Sequence, residues 1–442
     1  MKILVMVLVA MLFIAGCNSH QIQAIKTQPA PLIQTIKEQV QNQNTQNTVS
    51  GSLTLLDALK LALENNPQLS VFSLEVRARE AAALQASLWP NPEAEIEIEN
   101  FAGSGPLSGF KSTETTISIG QLIELAGKRA KRTQLANLKA ESASWNFESK
   151  KLEIYAQTVQ FFNEVLIAQK EVALNNEILN LNQKFKEQVL FRIASGRISS
   201  AELARANVEV SRAKIALEQS KRRLQAARKR LAATWGATEA SFDSVSGSLF
   251  ILDSLPSFSQ LYKALKNNPQ LNRWDTEIKS KEVALKLASA GRIPDPVIRL
   301  GYRRLSEIDQ QAIVAGIALP LPIFNRNQGA IEGARARLKQ TALQKEAAYL
   351  QLQTELNSLY QELNAVHQAI QSLKKEILPQ AQEAFQTISQ GYKMGKFNFL
   401  EVLDARRSFF SARATYLQQL AEFQRLRTEI ELLTGKSMTE LN

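Results

Sequence analysis

The sequence predicts a mainly helical chain with a small β part, internally duplicated, in which long coiled-coil helix hairpins follow short strand pairs. Three observations carry this. First, four landmarks recur in the same order roughly 200 residues apart, the mark of a repeated unit. Asn65-Asn66-Pro67-Gln68-Leu69 returns as Asn267-Asn268-Pro269-Gln270-Leu271, and Trp89-Pro90-Asn91-Pro92 as Ile293-Pro294-Asp295-Pro296. Gly196-Arg197-Ile198-Ser199 returns as Gly395-Lys396-Phe397-Asn398, and Thr234-Trp235-Gly236 as Leu433-Thr434-Gly435. Second, neither glycine nor proline interrupts the chain between Gly127 and Gly196. That allows a helix of ~65 residues, about 100 Å at 1.5 Å per residue. Third, two short segments in each copy switch from helical spacing to strict alternation.

The N-terminus precedes the repeats. Lys2, an apolar run from Ile3 to Ala15 and Gly16 lead to Cys17, the pattern of a secretory signal, and the run is too short to span a bilayer comfortably. Ile14-Ala15-Gly16-Cys17 resembles a bacterial lipobox, which implies cleavage before Cys17 and acylation of its thiol, palmitate being such a group. Asn18 at the next position suits delivery to the outer membrane. Because Cys17 is the one cysteine in the sequence, no intrachain disulfide is possible. Residues 18–51 are rich in Gln, Asn and Thr and read as a flexible tether.

Within the first repeat, Leu53 to Glu64 is apolar at helical spacing, and Asn65-Asn66-Pro67 interrupts it. A second helix runs from about Pro67 to Leu88 and stops at Trp89-Pro90-Asn91-Pro92. Ala94, Ile96 and Ile98 then alternate with Glu95, Glu97 and Glu99. After a Gly/Ser/Pro loop, Thr115, Ile117 and Ile119 alternate with Thr116 and Ser118. In the second repeat Ile298, Leu300 and Tyr302 alternate with Arg299, Gly301 and Arg303, and Ile313, Ala315, Ile317 and Leu319 form one face of the return strand. Strands of this length cross a bilayer when tilted, and a soluble hairpin gives the same alternation. The long helix of the second copy runs from Asn325 to about Lys393, with a kink expected at Pro379. Leu352, Leu356, Leu359, Leu363, Val366, Ile370, Leu373 and Ile377 form a heptad seam, as do Leu152, Tyr155, Val159, Phe162 and Leu166. Gly196 and Gly395 stop the long helices, and Ser199 and Asn398 cap the helices that return.

The expected boundaries are 1–16 for the signal peptide, 17–51 for the lipid-anchored tether, 52–236 for the first repeat, 237–255 for a linker, 256–436 for the second repeat and 437–442 for a tail. Strands are expected near 93–101 and 113–121, and near 297–305 and 311–320. Four strands are too few to close a membrane barrel, and open sheet edges are not tolerated in lipid. If the strands span a membrane, several chains must pool them, and the helix hairpins then continue as a tube.

The chain resembles the outer-membrane factors of the TolC type, over essentially all of residues 51–436. It is most similar to the CzcC-like branch, the outer-membrane components of heavy-metal cation efflux systems. The resemblance rests on Leu53-Thr54-Leu55 with Asn65-Asn66-Pro67, on Gln121 to Arg129, on Leu319 to Gly329 and above all on Gly391 to Ala405. It implies a homotrimer with a 12-stranded outer-membrane β-barrel and a periplasmic α-barrel. It also implies a periplasmic adaptor (membrane fusion) protein and an inner-membrane RND-type pump as partners. Other cargoes, drugs or secreted proteins, stay open, and so does a lipid-anchored coiled-coil scaffold without a pore.

The same resemblance places Glu202, Tyr392, Glu401 and Asp404 at a periplasmic constriction. There, Glu202 and Tyr392 take part in ties that hold the gate shut, and Glu401 and Asp404 form acidic rings that attract cations. The alternative for the last two is an ordinary helix-start role favoured by the helix dipole. The turns Gly196, Arg197, Ile198, Ser199 and Gly395, Lys396, Phe397, Asn398 are the expected adaptor-docking tips. The net charge of +11 is spread along helices among Glu residues. Its densest clusters, Lys221-Arg222-Arg223 and Arg228-Lys229-Arg230, lack interleaved aromatics and read as a solvated helix face, not a nucleic-acid surface. His20 and His367 are the two histidines, and no Cys/His cluster has metal-ligand spacing, so no metal site and no cofactor are expected. No catalytic motif is present either, and the chain is not expected to be an enzyme.

Overall fold

The computed structural model describes residues 31–41, 51–194, 199–249 and 254–441. Cys17, His20, Gly196, Arg197 and Ile198 lie outside the described residues. The chain divides into two compact units. One comprises Leu74–Ser144 and Trp274–Gln344; the other holds the described residues of Gln28–Ser73, Trp145–Arg273 and Lys345–Asn442.

The first unit contains a four-stranded antiparallel sheet in the order β2-β3-β5-β6, formed by β2 (Glu93–Glu99), β3 (Glu114–Leu122), β5 (Val297–Leu305) and β6 (Gln310–Ala318). The two hairpins of the duplicated chain join through β3 and β5, with Ile117 opposite Tyr302 and Leu122 opposite Val297. Pleating sorts the alternating residues onto two faces. One carries Ile96, Ile98, Ile117, Ile298, Ile313 and Ile317, all exposed, Ile317 to 75%. The other is a charge ladder. Arg299 reaches Glu95 at 2.9 Å, and Arg303 reaches Glu99 at 3.1 Å and Glu114 at 2.9 Å. Arg303 also donates to Thr116 Oγ1 at 2.8 Å. Arg299 reaches β2 across β3 past Gly120, where an added Cβ would make ordinary contact with Arg299 Cγ at 3.4 Å. The strands β2 and β6 have open edges within this sheet.

In the second unit, the landmark Asn-Asn-Pro acquires a physical role. Helix α2 (Leu55–Asn65) ends and α3 (Pro67–Ser87) begins around buried Asn66. Its side-chain oxygen accepts from Gln68 N–H at 2.8 Å, and its amide donates to Thr234 C=O at 2.7 Å. Thr234 directly follows α5 (Ser200–Ala233). Asn268 repeats this before α7 (Pro269–Ala290). It accepts from Gln270 N–H at 2.8 Å and donates to Leu433 C=O, near the end of α10 (Phe399–Thr434), at 2.9 Å. Each Asn caps one helix and ties off another. Asn66→Ala and Asn268→Ala are each expected to lower unfolding stability by about 1–2 kcal/mol, since a cap is lost and a buried carbonyl is orphaned. Thermal unfolding in detergent tests this; a shift for one copy but not the other would break the equivalence.

The long helices are α4 (Lys128–Ala194) and, in the second copy, α8 (Gln328–Ser372) followed by α9 (Leu378–Lys393). Leu352, Leu356, Leu363 and Ile370 are buried with Leu420, Phe423, Leu426 and Ile430 of α10, and Leu373 is also buried. Ile377, expected to continue this seam, is instead exposed. The cause is a π-helical turn over Leu373–Ile377, where Leu378 N–H bonds to Leu373 C=O. Pro379 has no N–H, and its ring would clash with a carbonyl one regular turn earlier; the wide turn moves that carbonyl away. In the first copy the seam divides. Phe162 and Leu166 pack on Leu231, Phe242 and Val245, and Leu152, Tyr155 and Val159 pack elsewhere.

Two expectations are corrected here. Pro31–Gln41, read as part of a flexible tether, forms helix α1. Leu32 and Ile33 are buried against Leu59, Leu152, Tyr155 and Val159, and Leu32 N–H donates to Gly435 C=O at 3.1 Å. Leu53, read as the start of a helix, lies in the short strand β1 (Ser52–Thr54), which pairs in parallel with β4 (Ser244–Ser246). The side chain of Thr54 then caps α2 in a reciprocal box with Asp57. The remaining helix, α6 (Phe258–Ala264), is short and opens on Ser257 with the same kind of box.

Candidate channel gate at the helix turns

The turn between α9 and α10 is built by backbone hydrogen bonds. Gly395, with φ of +79°, donates to Tyr392 C=O at 3.0 Å, and Lys396 donates to Gly391 C=O at 2.8 Å. These two bonds form a Schellman motif, and its left-handed residue favours glycine. Gly391 serves another purpose. The Phe397 ring folds back onto it so closely that a Cβ would sit 2.3 Å from Cδ2. Asn398 then starts α10. Its side-chain oxygen accepts from Glu401 N–H at 3.0 Å, and the Glu401 carboxylate accepts from Asn398 N–H at 2.7 Å. At the other turn, Ser199 Oγ accepts from Ala201 N–H at 3.2 Å.

Behind this turn lies a small apolar core. Tyr392, Phe399, Val402 and Leu403 are buried with Val189 and Ala206. The Phe185 ring packs at a tilt of about 40° against both Tyr392 and Phe399, 5.3 Å between centres. The α4–α5 hairpin of the first repeat and the α9–α10 turn of the second therefore share one core.

The expected gate residues separate into two groups. Glu401 and Asp404 lie one turn apart on α10 with exposed side chains. Glu401 also belongs to the capping box, so it performs the helix-start role that was the alternative reading. Tyr392 and Glu202 lie close together on the inside. They do not hydrogen-bond to each other: the Tyr392 hydroxyl and one Glu202 carboxylate oxygen are buried without a partner among the described residues. Burial pushes the Tyr392 hydroxyl above its ordinary range, Arg192 opposes the rise and Glu202 adds to it. The Arg192 guanidinium sits 4.4 Å from the Tyr392 ring centre and donates to Tyr392 C=O at 3.3 Å. These groups border an open groove of about 630 Å³ lined by Phe191, Arg192, Tyr392, Met394 and others.

Two residues beyond Asp404 the structure places a tie that the sequence reading did not single out. Arg406, only 6% exposed, donates to Asn182 Oδ1 and approaches Glu209 at 3.5 Å. Arg407 binds the other oxygen of Glu209 at 2.6 Å. Burial lowers the Arg406 pKa and Glu209 raises it again, and an arginine stays charged under such opposition. Helices α4, α5 and α10 are thereby pinned by one buried cation. The Arg-Arg pair after Ala405 was visible in the sequence; its partners, about 200 residues away, were not.

His367 is half-buried on α8, its ring 6.1 Å from that of Phe423. Among the described residues no group of three His, Cys, Asp or Glu is placed to hold a metal ion, and no helix is long and apolar enough to cross a membrane.

Comparison with known proteins fits this architecture. The chain is 33% identical over 388 residues to the cobalt-zinc-cadmium resistance protein CzcC of Cupriavidus metallidurans, covering 88% of this chain and 91% of that protein. The fold is that of a solved membrane protein from Pseudomonas aeruginosa, with a TM-score of 0.75 at 18% identity, covering 87% of this chain and 90% of the other. It is also that of CusC, with a TM-score of 0.73 at 17% identity, covering 95% and 99%. The outer membrane efflux protein profile matches residues 58–237 and 260–436, one stretch for each copy of the duplicated unit. With most of its length matched, the chain belongs to the outer membrane efflux protein family, whose members are transport ducts of the outer membrane and not enzymes.

Proposed function

We propose that this chain is the exit duct for divalent heavy-metal cations in an efflux system. A periplasmic adaptor protein and an inner-membrane RND-type pump hand substrate to it. Three copies pool their strands into one 12-stranded barrel, since four strands with an exposed apolar face and two open edges cannot stand alone in lipid. The cation assignment draws on the likeness to CzcC, whose name records cobalt, zinc and cadmium resistance. Acylated Cys17 would anchor the N-terminus in the outer membrane, and the tips 196–199 and 395–398 would receive the adaptor.

The observation that carries the reading is the exposed pair of Glu401 in the first turn of α10 and Asp404 one turn further on. Threefold repetition sets six carboxylates around a narrow section. Fixed charges there outweigh the chain's net +11, because distant charges are screened beyond ~8 Å at physiological salt. Tyr392, Glu202 and Arg192 lie behind this pair and hold the turn in its closed packing. The expected result in planar bilayers is a cation-selective pore. Glu401→Gln with Asp404→Asn should reduce the cation-to-anion permeability ratio several-fold, since the glutamine keeps the capping box. An unchanged reversal potential in an intact trimer would reduce both acids to helix-start residues.

A further inference from the structure

The two repeats meet inside the chain at a joint whose counterpart is missing at the other end of the sheet. After β3, the strand-to-helix segment lies on the helix-to-strand segment that precedes β5. Ile123 N–H donates to Pro296 C=O at 2.9 Å, and Leu125 N–H donates to the Asp295 carboxylate at 2.8 Å. The Lys128 ammonium donates to Ile293 C=O at 2.5 Å and pairs with Asp295 at 2.8 Å. Ile293–Pro296 is the second copy of the landmark Trp89–Pro92.

The matching strand-to-helix segment of the second repeat follows β6 and begins at Leu319. Among the described residues, neither the Leu319 nor the Leu321 N–H has a hydrogen bond of the kind made by Ile123 and Leu125. Leu321, Ile323 and Phe324 are exposed, Phe324 to 90%. Likewise Trp89–Pro92 receives no strand-to-helix segment from a preceding repeat; Arg129 of its own repeat lies over one face of the Trp89 ring at 3.9 Å and Gln121 donates to Pro90 C=O, yet Trp89 stays 56% exposed. The halves of a second joint are thus both present and unfilled.

Sheet parity says how they meet. Strand directions alternate from β2 to β6. The β6 edge of one copy is therefore antiparallel to the β2 edge of another, and the end of β6 falls beside the start of β2. This contact joins unlike surfaces, so it propagates and closes into a ring instead of a twofold pair.

We propose that Leu319–Phe324 of one copy seats on Trp89–Pro92 of the next, repeating between copies the joint that Ile123–Lys128 makes with Ile293–Pro296 within the chain. The inference rests on the shared barrel proposed above and specifies its periplasmic rim. Leu319 N–H bonds to Pro92 C=O, and the Asn91 amide oxygen accepts Leu321 N–H as Asp295 accepts Leu125. The apolar side chains after Leu321 cover Trp89. The internal register, Leu122 opposite Val297, transfers to Ala318 opposite Glu93, and so to Val314 opposite Glu97.

Crosslinking of the full chain in membranes tests this, with Cys17→Ser removing the native thiol. Asn91→Cys with Leu321→Cys probes the joint; Glu97→Cys with Val314→Cys probes the strand edges. Under mild oxidation or with a short bismaleimide, both pairs should give a covalent trimer. Each single variant should give none, and a mixture of the two joint variants should stop at dimers. Crosslinking of the edge pair without the joint pair would overturn the joint and leave the shared barrel standing. No crosslink from either pair would remove the shared barrel, and the joint with it.

Discussion

Replacing Arg406 by alanine should loosen the helix turns more than any other single truncation near them. The guanidinium is buried among Asn182, Glu209 and the face of Phe185, whose ring centre lies 5.9 Å away. Removing it leaves a desolvated amide oxygen without its donor, and a carboxylate held by Arg407 and, at 3.7 Å, by Arg212. Loss of one member of a buried charged network costs about 3–5 kcal/mol. Part of this is recovered here because Glu209 keeps two cations, so about 3 kcal/mol is expected. At 1.4 kcal/mol per tenfold, this is roughly a 100-fold rise in local opening. Amide exchange in residues 182–194 and 399–410 should accelerate by that factor, while the sheet of the other unit is unaffected. Under the proposed gating, conductance should rise in parallel. Arg406→Lys should fall between the two, since an ammonium keeps the charge but lacks the planar fork. Exchange rates within twofold of the parent would mean that the tie is ornamental.

Gly391→Ala should produce the second largest effect, through crowding. The added methyl carbon would meet Phe397 Cδ2 at 2.3 Å and Cε2 at 2.6 Å, and the ring has to leave. Overpacking of this kind costs about 1–3 kcal/mol, and the upper end applies where a whole ring is displaced. The partner substitution separates crowding from helix propensity. In Phe397→Ala the obstacle is absent, so Gly391→Ala should then be neutral or stabilising, because alanine is the better helix former. The double variant should therefore cost less than the sum of the two single variants, a large coupling in the double-mutant cycle. Additive effects would show that Gly391 is needed for some reason other than Phe397.

Much of this architecture was legible because it repeats. The four landmarks, the alternating strands and the glycine-free helix each carry a period that one sequence displays. What escaped depends on single contacts across long separations. Arg406 finds Asn182 and Glu209 about 200 residues away, and nothing local at any of the three announces the tie. The pairing of β1 with β4 involves three residues on each side, too few for a period to appear. Helix α1 was hidden by its composition: Leu32 and Ile33 are an apolar pair in a Gln-rich stretch, and their burial comes from a surface made by other helices. Glu401 and Asp404 were singled out by resemblance, and the sequence alone left their two roles open. Glu401 performs the helix-start role visibly, through its bond to Asn398 N–H.

The wide turn at Leu373–Ile377 has a consequence for how such a chain can vary. A π turn takes up one more residue than a regular one, and one residue is about 100° of rotation around a helix. The stretch before it answers to the partner seam of α10; the stretch after it must present Tyr392 to the turn core. The inserted residue works as a phase shifter between these two requirements. Each half of the helix is then free to keep its own heptad, and a change of length on one side need not misalign the turn core on the other.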